Sequence, residues 1–266
     1  MGLHSDTVTD VATVSNFRDV LITKYHLNLD VNFDKREISG FAELSFKTLK
    51  TTDCIRLDIH KTLKVHSVDI ITSDNRTINN TYDVKPFTDY GSELCIKLSE
   101  SLSTDDVFSV KVKYTATGGP GVCWLEPEQT AGKKLPYMYT QGQSVCNRSF
   151  FPCQDTPAVK CPYTAEVTVP EGFVPVMSAS KGGPLSGKPN TYEFSLPYPV
   201  QCYLIALAVG DLKSAQIGPR SKVWTEPCML SHSWFGNLVT NANWSEFWLN
   251  EFIVSVVINL LSISSR

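Results

Sequence analysis

The sequence contains no long run of lysine or arginine, and its 24 basic residues are balanced by 27 acidic ones for a formal charge of −3. The electrostatic footprint of a nucleic-acid binder is therefore missing. No apolar stretch reaches the roughly 20 residues of a bilayer-spanning helix. The nearest, "FIVSVVINLLSISSR" at 252–266, stops short of it, so no membrane span is expected. The opening "MGLHSDTVTDVATVSNFRDV" lacks the charged start and apolar run of about 7–15 residues that make a secretory signal. The expectation is a cytoplasmic chain, in which the four Asn-x-Ser/Thr matches are fortuitous. The eight cysteines are scattered, several of them within apolar runs, which reads as buried reduced thiols and not as a disulfide framework.

Also absent is any amphipathic helix of ordinary length before residue 227. What stands there is alternation. Tyr25, Leu27, Leu29, Val31 and Phe33 recur at every second position, as do Ala42, Leu44 and Phe46, then Ile55, Leu57 and Ile59. The same period returns at Leu94–Ile96–Leu98, at Phe108–Val110–Val112–Tyr114, at Val167–Val169 and at Tyr192–Phe194–Leu196. That is the period of half-buried strands, and the segments "TSDN", "TGGPG", "VPEG" and "KGGPLSGKPN" supply turn residues between them. With 42% hydrophobic residues the chain can fill a core. "CYLIALAVGDL" at 202–212 is continuously apolar and reads as one strand buried on both faces. "CWLEPEQTAGKKLPYMYTQGQSVCNRSFFPCQDTP" at 123–157 reads as a long connection, either functional or a packing loop. The predicted organisation is an N-terminal extension over 1–21, a mainly β unit over 22–215, and a short helical segment over 216–266.

In that last segment, Trp234, Leu238, Val239, Trp244, Phe247, Trp248, Leu249 and Phe252 follow the helical period. A catalytic zinc commonly takes three protein ligands, two of them at i and i+4 on one helix face with a glutamate beside the first as base. Here His232 occupies the second ligand position, while position 228 is cysteine and position 229 methionine. Cys228, His232 and Glu251 together are a chemically permissible Cys/His/Glu set. The thioether of Met229, at the general-base position, can neither take nor deliver a proton. Packing residues on a short helix are an equally open reading of Cys228 and His232.

Taken together, "PYMYTQGQSVCNRSFFPCQDTPAVKCPYTAEVTVP", "QCYLIALAVGDL", "QIGPR" and "LSHSWFGNLVTNANWSEFWLNE" resemble the M1 zinc metallopeptidases, in the leukotriene A4 hydrolase and aminopeptidase B branch. The resemblance runs from about residue 24 to residue 251. It implies a saddle-like all-β N-terminal domain followed by a remnant of a thermolysin-like catalytic domain. It also implies a zinc cofactor, a peptide substrate shortened from its N-terminus and, in part of the branch, epoxide hydrolase activity. The family glutamine that anchors the substrate's free end maps to Gln143, with Gln141 beside it, and the zinc ligands map to His232 and Glu251. The family's first zinc histidine falls at Cys228 and its catalytic glutamate at Met229. No Gly-x-Met-Glu-Asn string occurs, and only "SKVWTEPCM" stands where the family has a sizeable stretch, as if a deletion were joined around Glu226 to Leu230. The resemblance thus yields two expectations. One is a zinc aminopeptidase relative defective in catalysis; the other is a non-catalytic β-domain interaction module. Loss of the covering domain further implies exposed apolar surface and self-association.

Overall fold

The computed structural model describes residues 10–74, 76–219 and 221–226. In chain order the strands are β1 (Val20–Asn32), β2 (Glu37–Thr48), β3 (Thr52–Ile59), β4 (Leu63–Thr72), β5 (Thr77–Ile78), β6 (Asn80–Thr88), β7 (Gly91–Leu102) and β8 (Val107–Ala116). They continue as β9 (Val122–Leu125), β10 (Tyr137–Thr140), β11 (Lys160–Thr168), β12 (Val174–Met177), β13 (Lys181–Pro184), β14 (Thr191–Gln201), β15 (Leu207–Gly210), β16 (Lys213–Gly218) and β17 (Ser221–Thr225). Short 3-10 turns at Pro127–Gln129, Asn147–Ser149 and Cys202–Leu204 punctuate them. The expected all-β architecture is what the structure has.

Eight strands form one sheet in the order β13-β14-β11-β1-β2-β8-β4-β5, and β3-β7-β6 form a three-stranded sheet. A four-stranded sheet has the order β12-β15-β10-β9, and β16 and β17 make a hairpin. The chain divides into two compact units. The first comprises Met1–Trp124, Met138–Glu171 and Met177–Ala208; the second comprises Leu125–Tyr137, Gly172–Val176 and Val209–Arg266. The eight- and three-stranded sheets belong wholly to the first unit.

Alternation explains the core of that unit. In β1, Tyr25, Leu27, Leu29 and Val31 are buried, and in β8, Phe108, Val110, Val112 and Tyr114 are buried. Phe46 and Phe108 stack with ring centroids 5.2 Å apart. The intervening residues form a polar row on the other face, in which Glu43, Lys111 and Asp69 alternate in charge. His26 lies opposite Glu43, Glu43 opposite Lys111, and Lys111 opposite Asp69. Opposite charges at facing positions stabilise the sheet, and the row keeps that face in water.

Strand β1 pairs with β11 in parallel, from Tyr25 onward. Its first residues therefore lack a partner on that side, and the side chain of Gln154 supplies one. Its amide nitrogen donates to the Val20 carbonyl at 2.7 Å, and its amide oxygen accepts from the Ile22 N–H at 3.0 Å. A buried side-chain amide thus continues the ladder, as the cost of unpaired buried backbone groups demands.

The apolar run at 202–212 departs from expectation. It is not one strand: Cys202–Leu204 form a 3-10 turn, closed by the Ile205 N–H on the Cys202 carbonyl at 2.9 Å, and only Leu207–Gly210 form a strand. Leu204 is exposed. The Asn147 side chain donates to the carbonyls of Cys202 at 2.5 Å and Ile205 at 3.4 Å and so stabilises the turned conformation over an extended one. The stretch 123–157 is likewise more ordered than a connection, holding β9, β10 and two of the 3-10 turns. The expected helical segment after residue 227 lies outside the described residues.

Candidate functional site

Strand β10 delivers the chain to Gln141, whose N–H donates to the Gly121 carbonyl at 3.0 Å. A turn follows, closed by the Cys146 N–H on the Gly142 carbonyl at 2.8 Å. Gly142 is buried while Gln141, Gln143 and Ser144 are exposed. The burial of Gly142 has a steric cause. A Cβ there would come within 2.7 Å of both the Asn147 Oδ1 and the Tyr203 carbonyl, so no other residue fits without movement. The Gln-Gly-Gln string is therefore pinned at its centre and presents its two amides outward.

Asn147 is fully buried and anchors the turn to the Cys202–Ile205 segment through the bonds given above. Ser149 ties it to the β9 side: its Oγ donates to the Cys146 carbonyl at 2.6 Å and accepts from the Gly121 N–H at 3.0 Å.

Beneath these anchors lies a buried ionic cluster. Arg148, Asp58 and Asp155 are 0–1% exposed. The Arg148 Nε donates to Asp155 Oδ2 at 2.9 Å, its NH2 group donates to the Ala12 carbonyl at 2.7 Å, and its NH1 lies 3.7 Å from Asp58 Oδ1. Asp58 also accepts from the Val14 N–H at 2.9 Å, the Asp155 N–H at 2.9 Å and the Thr13 hydroxyl. Burial pushes the Asp155 carboxyl up, against the pull of Arg148. Burial also works against the Arg148 charge, but Asp58 and Asp155 outweigh it and hold the guanidinium protonated. The cluster fastens the Asp10–Ser15 segment and the β3 end to the 146–156 segment, which carries the glutamine turn.

Sequence reasoning passed over this cluster. Asp58 sits between Leu57 and Ile59 on a strand whose apolar residues alternate, so its side chain belongs to the face expected to meet water. That face is covered near the end of β3, where Asp58 and Cys153 form a backbone bridge, with the Asp58 N–H on the Cys153 carbonyl at 2.8 Å. The available signal was charge inside a densely apolar stretch, in "CNRSFFPCQDTP".

One group of metal-ligating side chains comes together among the described residues: Cys153, Asp155 and Cys202, all buried. It does not fit a catalytic zinc. Asp155 Oδ2 is committed to Arg148, the Cys202 thiol donates to Asp155 Oδ1 at 3.3 Å, and burial pushes the Cys153 thiol up so that it stays protonated. Nor does the fully buried setting leave an open coordination position for water. Cys228, Met229, His232 and Glu251 lie outside the described residues. The seven cysteines described all carry free thiols.

Fold and site together describe an all-β domain with an amide-bearing turn on a buried ionic base. The Peptidase M1 N-terminal domain matches residues 22–204, and the Peptidase family M1 domain matches residues 228–262. The chain belongs to the M1 peptidase family. It is 38% identical to mouse (Mus musculus) aminopeptidase B, over 94% of this chain and 51% of that protein, and 37% identical to human (Homo sapiens) aminopeptidase B over the same shares. The solved structure of native leukotriene A4 hydrolase from Saccharomyces cerevisiae is 34% identical, with a TM-score of 0.74, covering 87% of this chain and 35% of that one. The chain thus spans about half the length of the curated relatives it matches. The mouse match extends over 337 positions, more than the 266 residues present here. The relative therefore carries internal residues for which this chain has no counterpart.

Proposed function

We propose that this chain is an aminopeptidase relative that binds the free amino end of peptides at Gln141 and Gln143 and does not hydrolyse them. The observation that carries the reading is the glutamine turn itself. Two exposed amides flank a buried glycine that has no room for a side chain, so each extends from closely packed backbone and offers a donor and an acceptor, as recognition of an ammonium group and the adjoining carbonyl requires. Against hydrolysis stand Cys228 and Met229, at the positions of the family's first zinc histidine and its general base. Cys228, His232 and Glu251 would hold zinc if it binds, and the ion would supply a polarised water. Met229 offers no group to take that water's proton. The free thiols suit a reducing compartment such as the cytoplasm.

The test uses the intact chain with zinc supplied. No chelator-sensitive release of arylamine from aminoacyl-arylamides is expected, while a peptide with a free amino end should bind in preference to its acetylated form. Gln143→Ala should weaken that binding about five- to tenfold, the value of a hydrogen bond worth roughly 1–1.5 kcal/mol. Chelator-sensitive turnover would refute the silent reading, and equal binding of the acetylated peptide would refute the amino-end site.

Exposed apolar side chains include Tyr198, 68% accessible, and Leu204, 47% accessible, both close in sequence to the Cys202–Ile205 anchor. We expect concentration-dependent self-association. Light scattering that stays monomeric across a hundredfold concentration range would contradict this.

A further inference from the structure

The second compact unit holds a backbone-to-carboxylate contact that the peptidase reading leaves unused. In "TAGKK", residues 130–134, the turn after the Pro127–Gln129 3-10 segment points two successive backbone N–H groups at one carboxylate. The Ala131 N–H donates to Glu226 Oε2 at 2.8 Å, and the Gly132 N–H donates to Glu226 Oε1 at 3.4 Å. Each oxygen of the carboxylate thus has its own donor. Thr130 fixes the turn from within: its buried hydroxyl donates to the Pro127 carbonyl at 2.8 Å and accepts from the Lys133 N–H at 3.1 Å. Lys133 adopts a left-handed conformation, with φ of 52°, just after the amides of 131 and 132. Lys133 and Lys134 are exposed and add two positive charges at the rim. Concave runs of backbone N–H groups bind anions wherever they occur, and the carboxylate seated here shows which kind this one takes.

We infer that the 130–134 turn is a carboxylate-binding site and that Glu226 is its built-in ligand. Glu226 occupies the site as an intramolecular competitor, so an external carboxylate enters only when Glu226 leaves. Because the two donors are backbone groups, the site reads the carboxylate fork and not the residue that bears it. A peptide's C-terminal carboxylate and an acidic side chain are both candidates. This inference is independent of the amino-end reading, since it involves neither Gln141 nor Gln143.

Hydrogen exchange at the 130–134 amides of the full chain tests it. In the unmodified chain these amides should exchange slowly and respond little to sodium acetate. In Glu226→Ala they should exchange at least tenfold faster, and acetate should restore protection saturably where sodium chloride of equal ionic strength does not. Replacing acetate with acetylglycine and with acetylglutamate amide separates a C-terminal carboxylate from a side-chain one. Slow exchange in the β16–β17 hairpin of the same unit serves as the check that the variant is folded, and Glu226→Gln is used in its place if it is not. Protection that survives loss of Glu226, or that acetate fails to restore, would overturn the inference.

Discussion

Arg148→Met is expected to destabilise the first unit by about 3–5 kcal/mol, the usual consequence of removing one partner from a buried ion pair. Methionine fills much of the same volume, so the loss comes from charge and not from a cavity. It leaves Asp155 and Asp58 facing each other's charge inside the protein without the guanidinium, and it frees the Ala12 carbonyl. Stabilities of whole domains are about 5–15 kcal/mol, so the loss is a large fraction of the total. Buried ion pairs can often be exchanged for apolar residues without harm, but this one cannot be exchanged cleanly. Asp58 also satisfies the N–H groups of Val14 and Asp155, and an apolar residue there would orphan both. Arg148→Lys should recover only part of the stability, because a single ammonium cannot reach Asp155, Asp58 and Ala12 together as the fork does. Urea unfolding measures all of this. A midpoint shift equivalent to less than about 1 kcal/mol for Arg148→Met would show that the cluster is not what holds the 146–156 segment.

The contrast between what the sequence discloses and what it hides follows from the range of the interactions. Strands such as β1 and β8 are legible because alternation is a local record of which face meets the core. The same rule fails at Asp58, where a distant segment covers the supposedly solvated face. It fails again at 202–212, where the Asn147 side chain donates to two carbonyls of an apolar run that turns instead of extending. Glu226 is similar: nothing near it in the chain reveals that the amides of Ala131 and Gly132, 95 and 94 residues earlier, receive its carboxylate. The glutamine turn was legible by another route. Family resemblance pointed to Gln141 and Gln143, while the packing of the backbone between them rests on Gly142 and Asn147. Composition could not show this, because the contact is between a missing side chain and a backbone carbonyl.

That contact makes Gly142→Ala the sharpest probe of the turn. The added methyl would approach the Tyr203 carbonyl and the Asn147 side-chain oxygen at 2.7 Å, closer than carbon ever sits to such atoms. The Tyr203 carbonyl is main chain, between the two carbonyls that Asn147 holds, so it cannot swing aside as a flexible side chain would. Either the turn lifts or Asn147 gives up its bonds to Cys202 and Ile205. Overpacking of this kind costs about 1–3 kcal/mol. The effect on recognition should exceed the effect on stability. A turn displaced by an ångström moves both amides together, and the amino-end affinity should fall at least tenfold while the core of the first unit stays folded. The glutamines themselves remain in place, so their chemistry is unchanged and only their position is altered. Isothermal titration with a free-amino peptide, set beside urea unfolding, separates the two effects. Unchanged affinity in a folded Gly142→Ala chain would mean that the pinned geometry of the turn is not what the ligand reads.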